Sequence, residues 1–279
     1  MRPVRITVVV ENTTFRTDTI AEHGLAFWIE AGSANLLFDA GRTPYVLRKN
    51  AHRLGIELRG ASALFVSHGH SDHTGGLAEI LDQSRVPIHL HPLAMIRRYS
   101  GRDREAAQIG MPGPVKNLLI EQSARCCWTR QPTEVVPYLF ATGPVPRETE
   151  YEDTGGDFSI DFERTTPDFI QDDQALFFDT PEGTVVILGC AHSGVVNTIR
   201  YVRTLTGDRP IHAVIGGMHL RGASEERLTR TVDALRDEHV EMIAPAHCTG
   251  FDAAARMWAA LPGRSLPCQV GTTFEFELT

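Results

Sequence analysis

Residues 67–76 read Ser-His-Gly-His-Ser-Asp-His-Thr-Gly-Gly. Four side chains able to bind a metal, His68, His70, Asp72 and His73, fall within six consecutive residues. In an extended segment, residues two apart project to the same side, so His68 and His70 can meet at one ion. Asp72 and His73 lie on the turn that follows and can reach a second ion beside the first. Imidazole and carboxylate donors suit zinc, iron or manganese. Such a centre supplies an activated water and a polarised carbonyl or phosphoryl oxygen. The small Ser and Gly spacers let the backbone turn tightly, and Gly75-Gly76 opens a helix.

These donors need a strand that delivers them, and Ala63 to Val66 is a short apolar strand ending at Ser67. Residues 4–10 are a β-branched run that predicts a strand buried on both faces. Residues 25–30 and 35–39, joined across Ala31-Gly32-Ser33, predict a hairpin. Residues 43–54 have helical periodicity, 74–82 begin a helix, and 87–91 are a further strand. The stretch from about 97 to 170 is rich in Arg, Gly, Pro and Thr, with weak periodicity, and reads as an irregular insertion holding a few strands such as 135–140. Regular pattern then resumes. Strands are predicted at 175–178, 184–188, 212–215, 241–244 and 272–278, and helices at 195–205, 225–238 and 253–261. Both halves run from strands to helices. This predicts two α/β layers joined in one four-layer unit spanning 1–279.

Composition narrows the class of protein. The chain has 279 residues, 42% hydrophobic and 22% charged, with a formal charge of −8. These values describe a globular protein and argue against a nucleic-acid binder that works through bulk charge. No apolar run approaches the length of a membrane span, and the first residues lack the marks of a secretory leader. Five cysteines without framework spacing fit a reducing, cytoplasmic compartment. Only Lys49 and Lys116 are lysines, so nearly all positive charge is arginine. Self-association into a homo-oligomer is left open.

The run His68-x-His70-x-Asp72-His73 after a strand resembles the signature of the metallo-β-lactamase superfamily. Leu36-Leu37-Phe38-Asp39-Ala40-Gly41 is similar to that family's upstream strand ending in Asp-x-Gly. The resemblance implies an αββα sandwich with a site at one edge of two sheets, holding two divalent ions, zinc before manganese or iron. Three later segments place a histidine just past an apolar strand, at His192, His219 and His247. The resemblance implies that His247 binds the second ion. The segment Gly189-Cys190-Ala191-His192 departs from it, since many members carry an aspartate here that bridges both ions. His192 is the favoured ligand in that segment, while Cys190 is either a further ligand or a small buried hydrophobe. A further histidine usual in the family is missing, and either Asp173 or His192 takes its place. Several segments together (Glu22 to Ala26, Thr142 to Arg147, Asp172 to Leu176, and 189–198, 214–220 and 245–250) are similar to one branch of the superfamily. Its members carry the name 7,8-dihydropterin-6-methyl-4-(β-D-ribofuranosyl)-aminobenzene-5′-phosphate synthase, a dihydropteroate-synthase-like activity.

The chemistry expected is hydrolysis of a small anionic substrate by metal-activated water. Asp72 orients the water and takes its proton, and His219 donates a proton or contacts substrate. Arg147 is the candidate to pair a carboxylate or phosphate, with Ser193 and Asn197 contributing at a helix N-terminus. The alternatives are a condensation that displaces pyrophosphate from a pterin, and metal binding without turnover.

Overall fold

The computed structural model describes residues 2–101 and 106–279. Seven strands form one sheet, in the order Thr273–Leu278, Arg2–Val10, Ala26–Ala31, Ala34–Phe38, Ala63–Phe65, Ile88–Leu90 and Cys126–Trp128. Six form the second, in the order Met242–Ala246, Ile211–Gly217, Gly183–Leu188, Leu176–Thr180, Leu139–Ala141 and Thr133–Val136. The strands' period of two sorts their side chains between layers. Val4, Ile6 and Val8, with Leu36 and Phe38, enter the core between the sheets, where Val185, Ile187 and Ile215 of the second sheet meet them. Val9 and Leu37 point the other way, toward the helix Pro44–Arg53. On the outer face of the second sheet, Val186, Leu188 and Val214 pack against Val195–Leu205, Glu225–Asp237 and Phe251–Ala260. The result is the predicted αββα sandwich.

Sequence explains the element boundaries. Thr43 caps the first helix by accepting from the Val46 amide at 3.3 Å, with Pro44 at the first helical position. Ser224 caps Glu225–Asp237 in the same way, accepting from the Arg227 amide at 3.1 Å. The final strand pairs antiparallel with the first, Arg2 opposite Leu278, which covers an edge that would otherwise be open.

The middle of the chain differs from its sequence reading. It supplies a helix, Gly113–Glu121, and edge strands to both large sheets. Phe158–Ser159, Tyr99–Ser100 and Ala107–Gln108 form a small sheet of their own. Periodicity missed these elements because most are two to four residues long, too short to establish a period. Among the described residues no helix is long and apolar enough to cross a membrane.

Candidate metal centre

Ile211–Gly217 runs parallel to both Gly183–Leu188 and Met242–Ala246. In the first sheet, Ala63–Phe65 is parallel to Ala34–Phe38. Carboxyl ends of parallel strands gather at one edge, and loops there build sites. The residues just past these strands are Cys190 and His192, His219, His247, Asp39, and the run 67–73. Close packing of the loop onto its neighbours requires glycine at position 76, where a Cβ would lie 1.9 Å from the Ala40 carbonyl oxygen.

The donor atoms converge in overlapping groups, each within 4.8 Å. One is His68, His70 and His192; others are His68, His73 and Cys190, then Cys190, His247 and Cys248, and finally His23, Asp72 and His247. His68 Nε2 faces His70 Nδ1 at 3.0 Å. His73 Nε2 lies 3.0 Å from Cys190 Sγ. Asp72 Oδ2 is 3.1 Å from His23 Nε2 and 3.3 Å from His247 Nε2.

The far side of four of these rings is held. His73 Nδ1 donates to Asp39 Oδ2 at 2.6 Å, and His192 Nδ1 donates to the Thr154 carbonyl at 2.8 Å. His247 Nδ1 meets Asn12 Oδ1 at 2.8 Å. His68 Nδ1 meets Ser67 Oγ at 3.0 Å, and that hydroxyl donates to Asp39 at 2.7 Å. An acceptor on Nδ1 fixes the proton there and leaves the Nε2 lone pair directed inward, the usual support of a metal-binding imidazole. The Nε2 atoms of His192 and His247 are buried and make no hydrogen bond. Buried polar atoms are seldom left so. A cation among these lone pairs satisfies them, so the residues present fit divalent metal.

Electrostatics agree. Burial pushes His68, His70 and His192 well below the ordinary imidazole value, and His247 down to about 4, so these rings are neutral donors. Burial opposes charge on Asp72 as well, but the hydrogen bond from His23 and the nearby His73 and His247 rings hold its carboxylate well below the usual range. His73 is raised to about 9: burial acts against its charge and Asp39 outweighs it. The backbone is left-handed at Asp39, Ala191, His219 and His247, with φ of 53°, 50°, 47° and 51°. For alanine especially this conformation costs energy, and such residues gather at functional sites.

The family model of the metallo-β-lactamase superfamily matches residues 20–247. The chain belongs to the metallo-β-lactamase superfamily. It is 33% identical over 254 residues to an uncharacterized protein of Methanocaldococcus jannaschii, MJ0448, covering 90% of this chain and 93% of that one. It is 29% identical over 243 residues to the 7,8-dihydropterin-6-methyl-4-(β-D-ribofuranosyl)-aminobenzene-5′-phosphate synthase of the same organism, covering 84% and 83%. The crystal structure of Tm1679, described as a metal-dependent hydrolase of the β-lactamase superfamily, superposes with a TM-score of 0.81 at 30% identity, covering 97% of this chain and 98% of that one.

Within this superfamily fold, the expected residues divide into two groups. His68, His70, Asp72, His73, Cys190, His192 and His247 come together. His219 stands beside them, its ring centroid 4.3 Å from that of His192, and lines the same cleft. Three expected substrate contacts are engaged elsewhere. Arg147 donates to the Phe169 carbonyl at 2.6 Å and does not line the cleft. Asn197 accepts from the Glu148 and Thr149 amides and donates to the Ser193 carbonyl. Ser193 gives its amide to Asp173 Oδ2 at 2.7 Å. The N-terminus of Val195–Leu205 is already filled by an internal anion, because Glu152 accepts from the Val196 and Asn197 amides at 2.9 Å. Asp173 lies outside the donor groups, and His192 stands where the alternative was open.

Sequence reasoning missed several residues. Glu11 and Asn12 hold the His247 backbone and ring from the end of the first strand. His23 reaches Asp72 from a loop, and Arg42 and Arg221 line the cleft with Phe158. Glu11-Asn12 was findable as a polar stop on an apolar strand. His23 lies in Glu22 to Ala26, a segment already singled out by resemblance, while Arg42, Arg221 and Phe158 carry no local signal.

Proposed function

We propose that the protein is a metal-dependent hydrolase-like enzyme acting on a small anionic substrate. The observation that carries this reading is the set of inward-facing donors, with His68, His73, His192 and His247 held from behind, beside a cleft of about 200 Å³. His68, His70 and His192 would hold one ion and Asp72, His73 and His247 a second, with Cys190 a further donor. When bound, the ions polarise the scissile group and make water nucleophilic at neutral pH.

The chain's own residues do the rest. Asp72 is ionised and its Oδ2 faces the centre, placed to orient a nucleophile and accept its proton. His219 lines the cleft beside His192, where it could deliver a proton to a leaving group. Arg42 and Arg221 take the role first expected of Arg147. Both line the cleft, and their guanidinium groups pair with no described side chain, so they remain available to an anion. Phe158 offers an apolar wall.

Metal content tests the reading directly. The purified protein should hold about two divalent ions per chain, and His68→Ala and His247→Ala should each lose metal. Unchanged content in both variants sinks the assignment. Zinc- or manganese-loaded protein assayed on thioesters, lactones and nitrophenyl phosphodiesters then tests hydrolysis. The synthase name of the 29% identical relative favours one second reading, a condensation releasing pyrophosphate from a dihydropterin pyrophosphate. Pyrophosphate release that requires an aminobenzene co-substrate would select it over hydrolysis.

A further inference from the structure

Of the five cysteines, only Cys190 and Cys248 line the cleft. Cys126 and Cys127 make long contacts to backbone carbonyls, at 3.9 and 3.8 Å, and Cys268 belongs to the core between the sheets. Cys248 follows His247 on the short turn His247–Thr249. Neighbouring side chains normally diverge, but this tight turn opens on the left-handed backbone of His247, and both side chains reach one cluster. Sγ of Cys248, Sγ of Cys190 and the His247 ring donor all fall within 4.8 Å. Donors roughly 2.0–2.3 Å from a common ion lie about 3.5 Å apart, so small side-chain rotations close this group on a metal. Room for the thiol is provided at Gly217, where a Cβ would lie 2.6 Å from Cys248 Sγ. Cys248 Sγ donates a weak hydrogen bond to the Cys190 carbonyl at 3.7 Å.

We propose that Cys248 is a metal-binding residue, and that with Cys190 it gives the centre one thiolate-rich position beside one all-imidazole position. The inference rests on the metal-centre reading above and extends its ligand set. Binding releases one proton from each thiol to solvent as its sulfur–metal bond forms, with no change of oxidation state. Thiolates favour zinc, cobalt or cadmium over manganese and magnesium, so the two positions should differ in metal preference.

Cobalt substitution tests this without an activity assay. Cobalt-loaded protein should show visible ligand-field bands and a near-ultraviolet sulfur-to-cobalt charge-transfer band. Cys248→Ser should remove about half of the charge-transfer intensity, and the double variant with Cys190→Ser nearly all of it, with the visible bands kept. Cys268→Ser, altering a thiol outside the cleft, should leave both unchanged. Visible bands with an unaltered charge-transfer band in Cys248→Ser overturn this inference while sparing the metal centre. Absence of all cobalt bands overturns the metal centre itself. X-ray absorption on zinc-loaded wild-type protein needs no variant, and a zinc shell without sulfur also refutes the proposal.

Discussion

Two buried polar clusters touch the loop 67–73. In the first, Arg98 donates to Asp168 at 2.7 Å, to Asp172 at 2.9 Å and to the Leu93 carbonyl at 3.2 Å. Asp172 also accepts from the Gly69 amide at 2.8 Å, so the cluster ties the signature loop to the chain around 168–172. In the second, the histidine rings are satisfied on their outer nitrogens, while Nε2 of His192 and His247 have nothing. Both clusters are out of water, where an unmet polar atom costs free energy. The first is closed by the chain itself and is scaffold. The second is completed only from outside, which distinguishes a ligand site from a structural polar core.

The strongest way to break this contrast is to open the closed cluster. Arg98→Met leaves Asp168 and Asp172 buried without their counter-charge, and should cost about 3–5 kcal/mol. Denaturant unfolding measures it, and a loss under about 1 kcal/mol would show that the cluster is not scaffold. A smaller effect is expected from loosening the open one. Asp39→Asn weakens the hold on His73 and should lower metal affinity 10- to 100-fold, on the order of 1.4–2.7 kcal/mol. Competition with a chromogenic chelator reads this, and unchanged affinity would mean that Asp39 does not position the ring.

Proton competition sharpens the same point. In the metal-free protein His73 is held at about 9, so metal must displace its proton. Loss of the His73 proton should by itself raise affinity up to about tenfold per pH unit between about 7 and 9, a share that ends above about 9 while the thiols keep their own dependence on pH. The sign for the metal-free fold is opposite. A raised imidazole stabilises fully below its unfolded value of 6.5, and that contribution is lost as pH rises through about 9. Asp39→Asn should reduce both slopes by the His73 share, and slopes unchanged by it would assign that proton to another group. The smallest effect concerns a third closed contact. Glu152→Ala uncaps Val195–Leu205 and should cost about 1 kcal/mol in thermal unfolding, with metal content unchanged. Loss of metal there would join the helix terminus to the site.

Much of this was legible without coordinates. The β-branched run 4–10 predicted a strand, the runs 25–30 and 35–39 a hairpin, and the spacing of 68–73 a candidate metal site, because strand-forming runs and short-loop geometry are local properties. Resemblance to the superfamily supplied His247. The helix at Gly113–Glu121 and the small sheet around Phe158 escaped because their segments are brief or weakly patterned.

The engagement of Arg147, Ser193 and Asn197 in internal contacts escaped the sequence for a different reason. Their types suit anion binding, and sequence reveals types. Whether an amide at a helix N-terminus is free depends on what else reaches it, and Glu152, more than forty residues upstream, reaches it first. The same holds for His23 against Asp72, Asn12 against His247 and Cys248 against Cys190, each pair distant in the chain. The sequence by itself determined which donors exist and that a strand must end at them. Tertiary structure decided which atoms meet, which are already satisfied and which stay open, because those depend on two sheets packing face to face with their parallel strands ending at one edge.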